Sequence, residues 1–136
     1  MTRPAWVLDT GALIAYAAGD ERVGMVLADA ADLDVRVAIP VICLVEAYRE
    51  LDHDEHELLG PLRANSAVVL APVEVIAGGD SAPIIGAMAR MTGRLGAAHA
   101  VYTAMAAGAA VVREGRGLLG GGWVHRQLGL ELPILR

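Results

Sequence analysis

Lysine is absent from this 136-residue chain, cysteine occurs once, and acidic side chains all but stop at Asp80. Each shortage excludes something. With Cys43 alone, no intrachain disulfide can form. No apolar run is as long as a membrane span, because charge, glycine or proline breaks each one. Met1 to Pro4 lack the charged lead, apolar stretch and small-residue cleavage site of a secretory leader, so a cytoplasmic location is expected. The all-arginine usage reads as a genomic base-composition bias rather than as phosphate recognition. A chain of net charge −5 is not built like a nucleic-acid binder. Residues 1–80 carry 14 acids and five arginines, whereas residues 81–136 carry six arginines against Glu114 and Glu131. A carboxylate cluster must therefore draw almost entirely on the first 80 residues.

What the chain has in excess is apolar surface. It is 55% hydrophobic with a mean hydropathy of +0.48, enough for one domain with one core and for a face covered by a second copy or another partner. The most informative stretch is Trp6-Val7-Leu8-Asp9-Thr10-Gly11-Ala12-Leu13-Ile14. It reads as a buried strand that ends in an acid and turns into a helix. In α/β proteins the crevice beyond the carboxyl ends of the strands is where ligands bind. An unpaired acid is costly to bury, so Asp9 is a candidate site residue.

Periodicity predicts a helix over 11–18 stopped at Gly19, and a second over 21–31 capped by Asp20. A strand through Val35, Val37 and Ile39 closes at Pro40, and a helix follows from Val41 to Leu51. Another helix is predicted from Asp52 to about Ala64, then a strand at Val68–Leu70. A turn at 78–81 leads to a helix over 82–91, a loop at 93–96, and an alanine-rich helix from Ala97 to Ala107 stopped by Gly108. A short buried strand over 109–112, a glycine-rich loop over 115–122, a helical turn over 124–128 and a last strand over 132–135 complete the reading. Strands separated by helices predict an α/β protein: a three-layer fold, a central parallel sheet with helices on both faces, in one domain spanning 1–136.

Three segments in this order resemble the PIN domain family, in particular its short single-domain VapC-toxin type. They are Val7-Leu8-Asp9-Thr10-Gly11-Ala12-Leu13-Ile14, Ile39-Pro40-Val41-Ile42-Cys43-Leu44-Val45-Glu46-Ala47, and Ala97-Ala98-His99-Ala100-Val101-Tyr102-Thr103-Ala104 followed by Gly108-Ala109-Ala110-Val111-Val112. Each motif alone is weakly specific, and their order carries the match. The resemblance implies a ribonuclease using Mg²⁺ or Mn²⁺ held by three or four carboxylates, a homodimer, and an antitoxin-like protein partner. Hard divalent ions take oxygen ligands, neutralise phosphate charge and generate a hydroxide nucleophile.

Carried over position by position, Asp9 and Glu46 stand at the first two acidic places. The third falls on Ala97 and the fourth on Gly115, with Glu114 one residue earlier as a displaced stand-in. Asp9, Glu46 and Glu114 are thus the candidate catalytic and metal-ligating residues. Asp9 has a competing role as a cap over the amides of Gly11 and Ala12. Glu46 could instead pair with Arg49, and Glu114 with Arg113 and Arg116. His99, beside the missing third acid, is read as structural rather than as a substitute ligand. His53 and His56 lack a third soft ligand for zinc. Gly120-Gly121-Gly122 lacks the lysine of a phosphate-binding loop. Two readings stay open: a PIN-like protein with lost or weakened nuclease activity that binds an antitoxin-like partner, itself or RNA, and an active Mg²⁺/Mn²⁺-dependent endoribonuclease using Asp9, Glu46 and Glu114.

Overall fold

A computed structural model describes residues 4–73, 75–76 and 79–112. The chain runs β1 (Pro4–Leu8), α1 (Thr10–Ala17), α2 (Glu21–Leu33), β2 (Arg36–Pro40) and α3 (Val41–Glu50), then a 3₁₀ helix over His53–Leu59 and α4 (Gly60–Ala64). It continues with β3 (Val68–Ala71), the short strands β4 (Val75–Ile76) and β5 (Gly79–Asp80), α5 (Ser81–Thr92), α6 (Leu95–Ala107) and β6 (Ala110–Val112). The protein is α/β. Four strands form a parallel sheet in the order β3-β2-β1-β6, and β4 and β5 make a separate antiparallel pair.

Consecutive strand residues point to opposite faces of a sheet. Val7 and Leu8 in β1, Val37, Ala38 and Ile39 in β2, and all of β6 are buried, so both faces of the sheet are covered. That arrangement is the middle layer of three. It also explains why β2 does not show the alternation its spacing predicts: Ala38, between the two inward valine and isoleucine positions, is as buried as they are.

The local signals act as their chemistry requires. Asp20 caps α2 by accepting from the backbone N–H of Arg22, and Gly19 takes a left-handed φ of 88° as α1 ends. Gly108, with φ 66°, stops α6. The predicted continuous helix from Asp52 to Ala64 is instead two pieces, a 3₁₀ segment and then α4. The break falls at Gly60-Pro61, where Pro61 has no N–H to continue a hydrogen-bonded ladder. The predicted turn at 78–81 carries a strand, β5, which two residues are too few to announce by pattern. The glycine-rich loop, the last helical turn and the last strand fall outside the described residues.

The strand order places the functional crevice. From β1 the chain steps to β2 and then β3 on one side, and returns to β6 on the other. The winding direction therefore reverses between β1 and β6, and the ends of these two strands flank the switch point where doubly wound sheets bind ligands. Leu8 pairs with Val112, and the N–H of Asp9 donates to the carbonyl of Val112 at 3.2 Å. Asp9 is thus the first residue beyond the sheet on that crevice.

Candidate functional site

A cleft of about 240 Å³ opens at this point, lined by Asp9, Thr10, Gly11, Thr92, Arg94, Ala97, Ala100, Val101 and Val111. Its floor is small and apolar, from α6 and β6. Its rim is polar: one carboxylate, one guanidinium and two hydroxyls. Among the residues that line it, Asp9 is the one acid.

Asp9 serves two purposes at once. It is the N-cap of α1, its Oδ1 accepting from the N–H of Ala12 at 3.0 Å, and it is half-exposed on the cleft wall. The cap and the site position follow from the same geometry, since the residue that ends β1 is also the one that starts α1.

Glu46 lies on α3 with its side chain 22% exposed, and it does not line the cleft itself. Its Oε1 accepts the hydroxyl proton of Thr10 at 2.8 Å and stands 3.9 Å from the Arg94 guanidinium. Arg94, not the neighbouring Arg49, is its cationic partner. The carboxylate also lies over the first turn of α6. A Cβ at Gly96 would collide with it and would come within 2.8 Å of Thr10 Oγ1. Here glycine is required by the close approach of three elements. Negative charge beside the amino end of a helix is also favourable in its own right.

Cys43 shows that the two acids share a neighbourhood. Its buried thiol donates to the carbonyl of Gly96 at 3.1 Å, and its pKa is pushed up to about 12. Burial is the main cause, opposed by the Thr10 hydrogen bond and reinforced by the negative charges of both Asp9 and Glu46. Cys43 is accordingly inert packing at the junction of α3 and α6.

Arg94 is held by its own turn. Gly93 adopts a left-handed φ of 80°, the Thr92 hydroxyl donates to the Arg94 carbonyl at 3.0 Å, and the Arg94 N–H donates back to Thr92 Oγ1 at 3.4 Å. The Arg94 carbonyl then starts α6 by accepting from Ala98 at 3.1 Å. The guanidinium is thereby launched from a fixed backbone towards the cleft.

His99 does not face the cleft. It is 1% exposed, with Nδ1 accepting from the N–H of Ile42 at 3.4 Å and Nε2 donating to the Pro72 carbonyl at 3.3 Å. Both ring nitrogens are occupied by the backbone, and burial lowers the pKa, so the ring is neutral and structural. His56 is likewise engaged, its Nε2 capping α3 at the carbonyls of Tyr48 (3.0 Å) and Leu51 (3.3 Å). Glu114 and Gly115 lie outside the described residues.

The donor set decides which cation the cleft can hold. A catalytic Mg²⁺ or Mn²⁺ needs several convergent carboxylates with open oxygens. Among the described residues, no three His, Cys, Asp or Glu side chains converge into such a group. Of the two acids near the cleft, each has an oxygen engaged by the protein, and a guanidinium stands beside one of them. Ala97 presents a methyl group where a third carboxylate would be needed. These residues do not fit a catalytic divalent ion.

Sequence reasoning overlooked Thr10 as a partner of Glu46, and Gly96 and Arg94 altogether. The predicted loop over 93–96 is shorter in the structure, where α6 begins at Leu95 and Gly96 is its second residue; a glycine inside a helix is a signal of a packing constraint. Compared with models of known protein families and with functionally characterised proteins, the sequence matches none of them. No described helix is long and apolar enough to cross a membrane.

Proposed function

We propose that the chain is a PIN-like domain, related in plan to VapC-type toxins, that has lost or much weakened its nuclease chemistry and works by binding a protein partner. The observation that carries this is the composition of the cleft: Asp9 shares its lining with Ala97 and Arg94, and Glu46 is bound to Thr10. Removing one carboxylate of a metal-binding set costs several kcal/mol of transition-state stabilisation, which is a rate loss of several decades.

A binding role also agrees with what α5 leaves uncovered. Ile84, Ala87 and Met91 recur at positions i, i+3 and i+7, and Ile84 and Met91 are 50% and 87% exposed. From Ser81 to Val112 the chain has Arg90 and Arg94 but no acid. An apolar stripe beside cations suits an antitoxin-like amphipathic segment with acidic flanks. A second copy, and RNA that is held but not cut, are the competing occupants.

The test is incubation of purified protein with structured and single-stranded RNA in Mn²⁺. The expected result is no metal-dependent cleavage above that of an Asp9→Asn control. Cleavage that Asp9→Asn abolishes would instead support the second reading, an endoribonuclease using Asp9, Glu46 and Glu114. One observation favours that reading: β6, the strand that precedes Glu114 in the chain, ends at Val112 beside Asp9.

A further inference from the structure

We infer that Arg94 is the resident counter-ion of this cleft, a cation supplied by the chain itself that excludes a divalent ion from the neighbourhood of Asp9 and Glu46. The inference rests on the reading of the site as one without a catalytic metal, and it names the group that keeps it so.

Three observations carry it. The Arg94 guanidinium lines the same cleft as Asp9 and stands 3.9 Å from Glu46 Oε1. Its backbone is fixed by the left-handed Gly93 and by the reciprocal Thr92 hydrogen bonds, so its side chain starts from a set position. The Glu46 carboxylate meets further positive potential at the first turn of α6, over Gly96. One guanidinium and one helix end therefore offset part of the negative charge of Asp9 and Glu46 within the fold. An arriving cation must first displace or share space with a guanidinium that cannot be deprotonated. The Arg94 side chain is 62% exposed, so this is an electrostatic exclusion rather than a rigid plug.

Ala97 makes the inference measurable. It lines the cleft as the third residue of α6. Aspartate is favoured in the first turn of a helix, so Ala97→Asp adds a carboxylate next to Asp9 and Glu46 without opposing the fold. Full-length Ala97→Asp, Ala97→Asp/Arg94→Gln and Ala97→Asp/Arg94→Lys are titrated with Mn²⁺ and read by electron paramagnetic resonance, with thermal melts confirming the fold. Removing one unit charge a few ångströms from the ion predicts binding about tenfold tighter in the Gln double variant than in Ala97→Asp, while the Lys double variant stays within about twofold of it.

Equal affinity in the Gln and Lys variants overturns the inference, because the charge then excludes nothing. Failure of all three to bind Mn²⁺ overturns it as well, since the cleft would then refuse cations for another reason. The parent chain, Arg94→Gln and Arg94→Lys, compared at higher Mn²⁺, repeat the contrast without Ala97→Asp, and the same ordering is expected. RNA cleavage by the parent in Mn²⁺ that depends on Asp9 would refute the proposed function and the exclusion together, whereas equal Mn²⁺ affinity in the Gln and Lys variants without RNA cleavage would refute the inference alone, so the two failures are separable.

Discussion

The hydroxyl of Thr10 donates to Oε1 of Glu46 across 2.8 Å, joining the start of α1 to the middle of α3 over 36 positions of sequence. This bond makes Glu46 part of the framework. Its carboxylate, braced by Thr10 and laid over Gly96, holds α1, α3 and α6 together at the edge of the cleft. The loss of that brace has a definite cost. Thr10→Val keeps the shape of a 4%-exposed side chain but leaves a half-buried carboxylate short of a donor. Chemical denaturation should show a loss of about 1–3 kcal/mol.

Gly96→Ala should destabilise the protein by about 1–3 kcal/mol, because the added methyl group drives into the Glu46 carboxylate. The effect is specific to that contact. In a Glu46→Ala background the same substitution should cost clearly less, and a double-mutant cycle by urea denaturation measures the coupling. Full additivity of the two substitutions would place the collision elsewhere.

The pattern of what the sequence revealed follows from the range of the forces involved. Caps, helix stops and buried strands are local, and Asp20, Gly19, Gly108 and the runs in β1 and β2 announce them within a few residues. Asp9 was legible for the same reason, as an acid at the end of an apolar strand. The partners of Glu46 were not, because Thr10 and Arg94 reach it from 36 and 48 positions away and only the tertiary fold supplies that proximity. Gly96 falls in the predicted loop, and the reason for its glycine, a carboxylate from another helix, is non-local. The split between the 3₁₀ segment and α4 was signalled by Gly60-Pro61 and outweighed by the charge pattern around it.

His99 sets a pH dependence. Its folded pKa is lowered by burial, against an unfolded value near 6.5, so the unfolded chain binds the extra proton first. The stability contributed by the neutral ring is complete above the unfolded pKa and is lost as pH falls towards the folded one. Protonation would also remove the acceptor for the Ile42 N–H at the start of α3. Unfolding free energy measured in urea should decline below about pH 6.5. A His99→Gln variant, less stable throughout, should lose most of that slope.

Cys43 should be silent towards thiol reagents in the native state. With the thiol buried and its pKa pushed up to about 12, disulfide exchange with an aromatic disulfide at pH 8 should proceed only after denaturant is added, and then report one thiol per chain. Rapid native-state labelling would mean that the junction of α3 and α6 opens.

Among the described residues, the cleft beside Asp9 has too few carboxylates to grip a catalytic cation. Isothermal titration calorimetry of the parent chain with Mn²⁺, beside Asp9→Ala and Glu46→Gln, tests it most directly. The expected result is no saturable binding up to about 1 mM Mn²⁺ and no difference between the parent and either variant. Saturable one-site binding within that range, removed by Asp9→Ala, would contradict it.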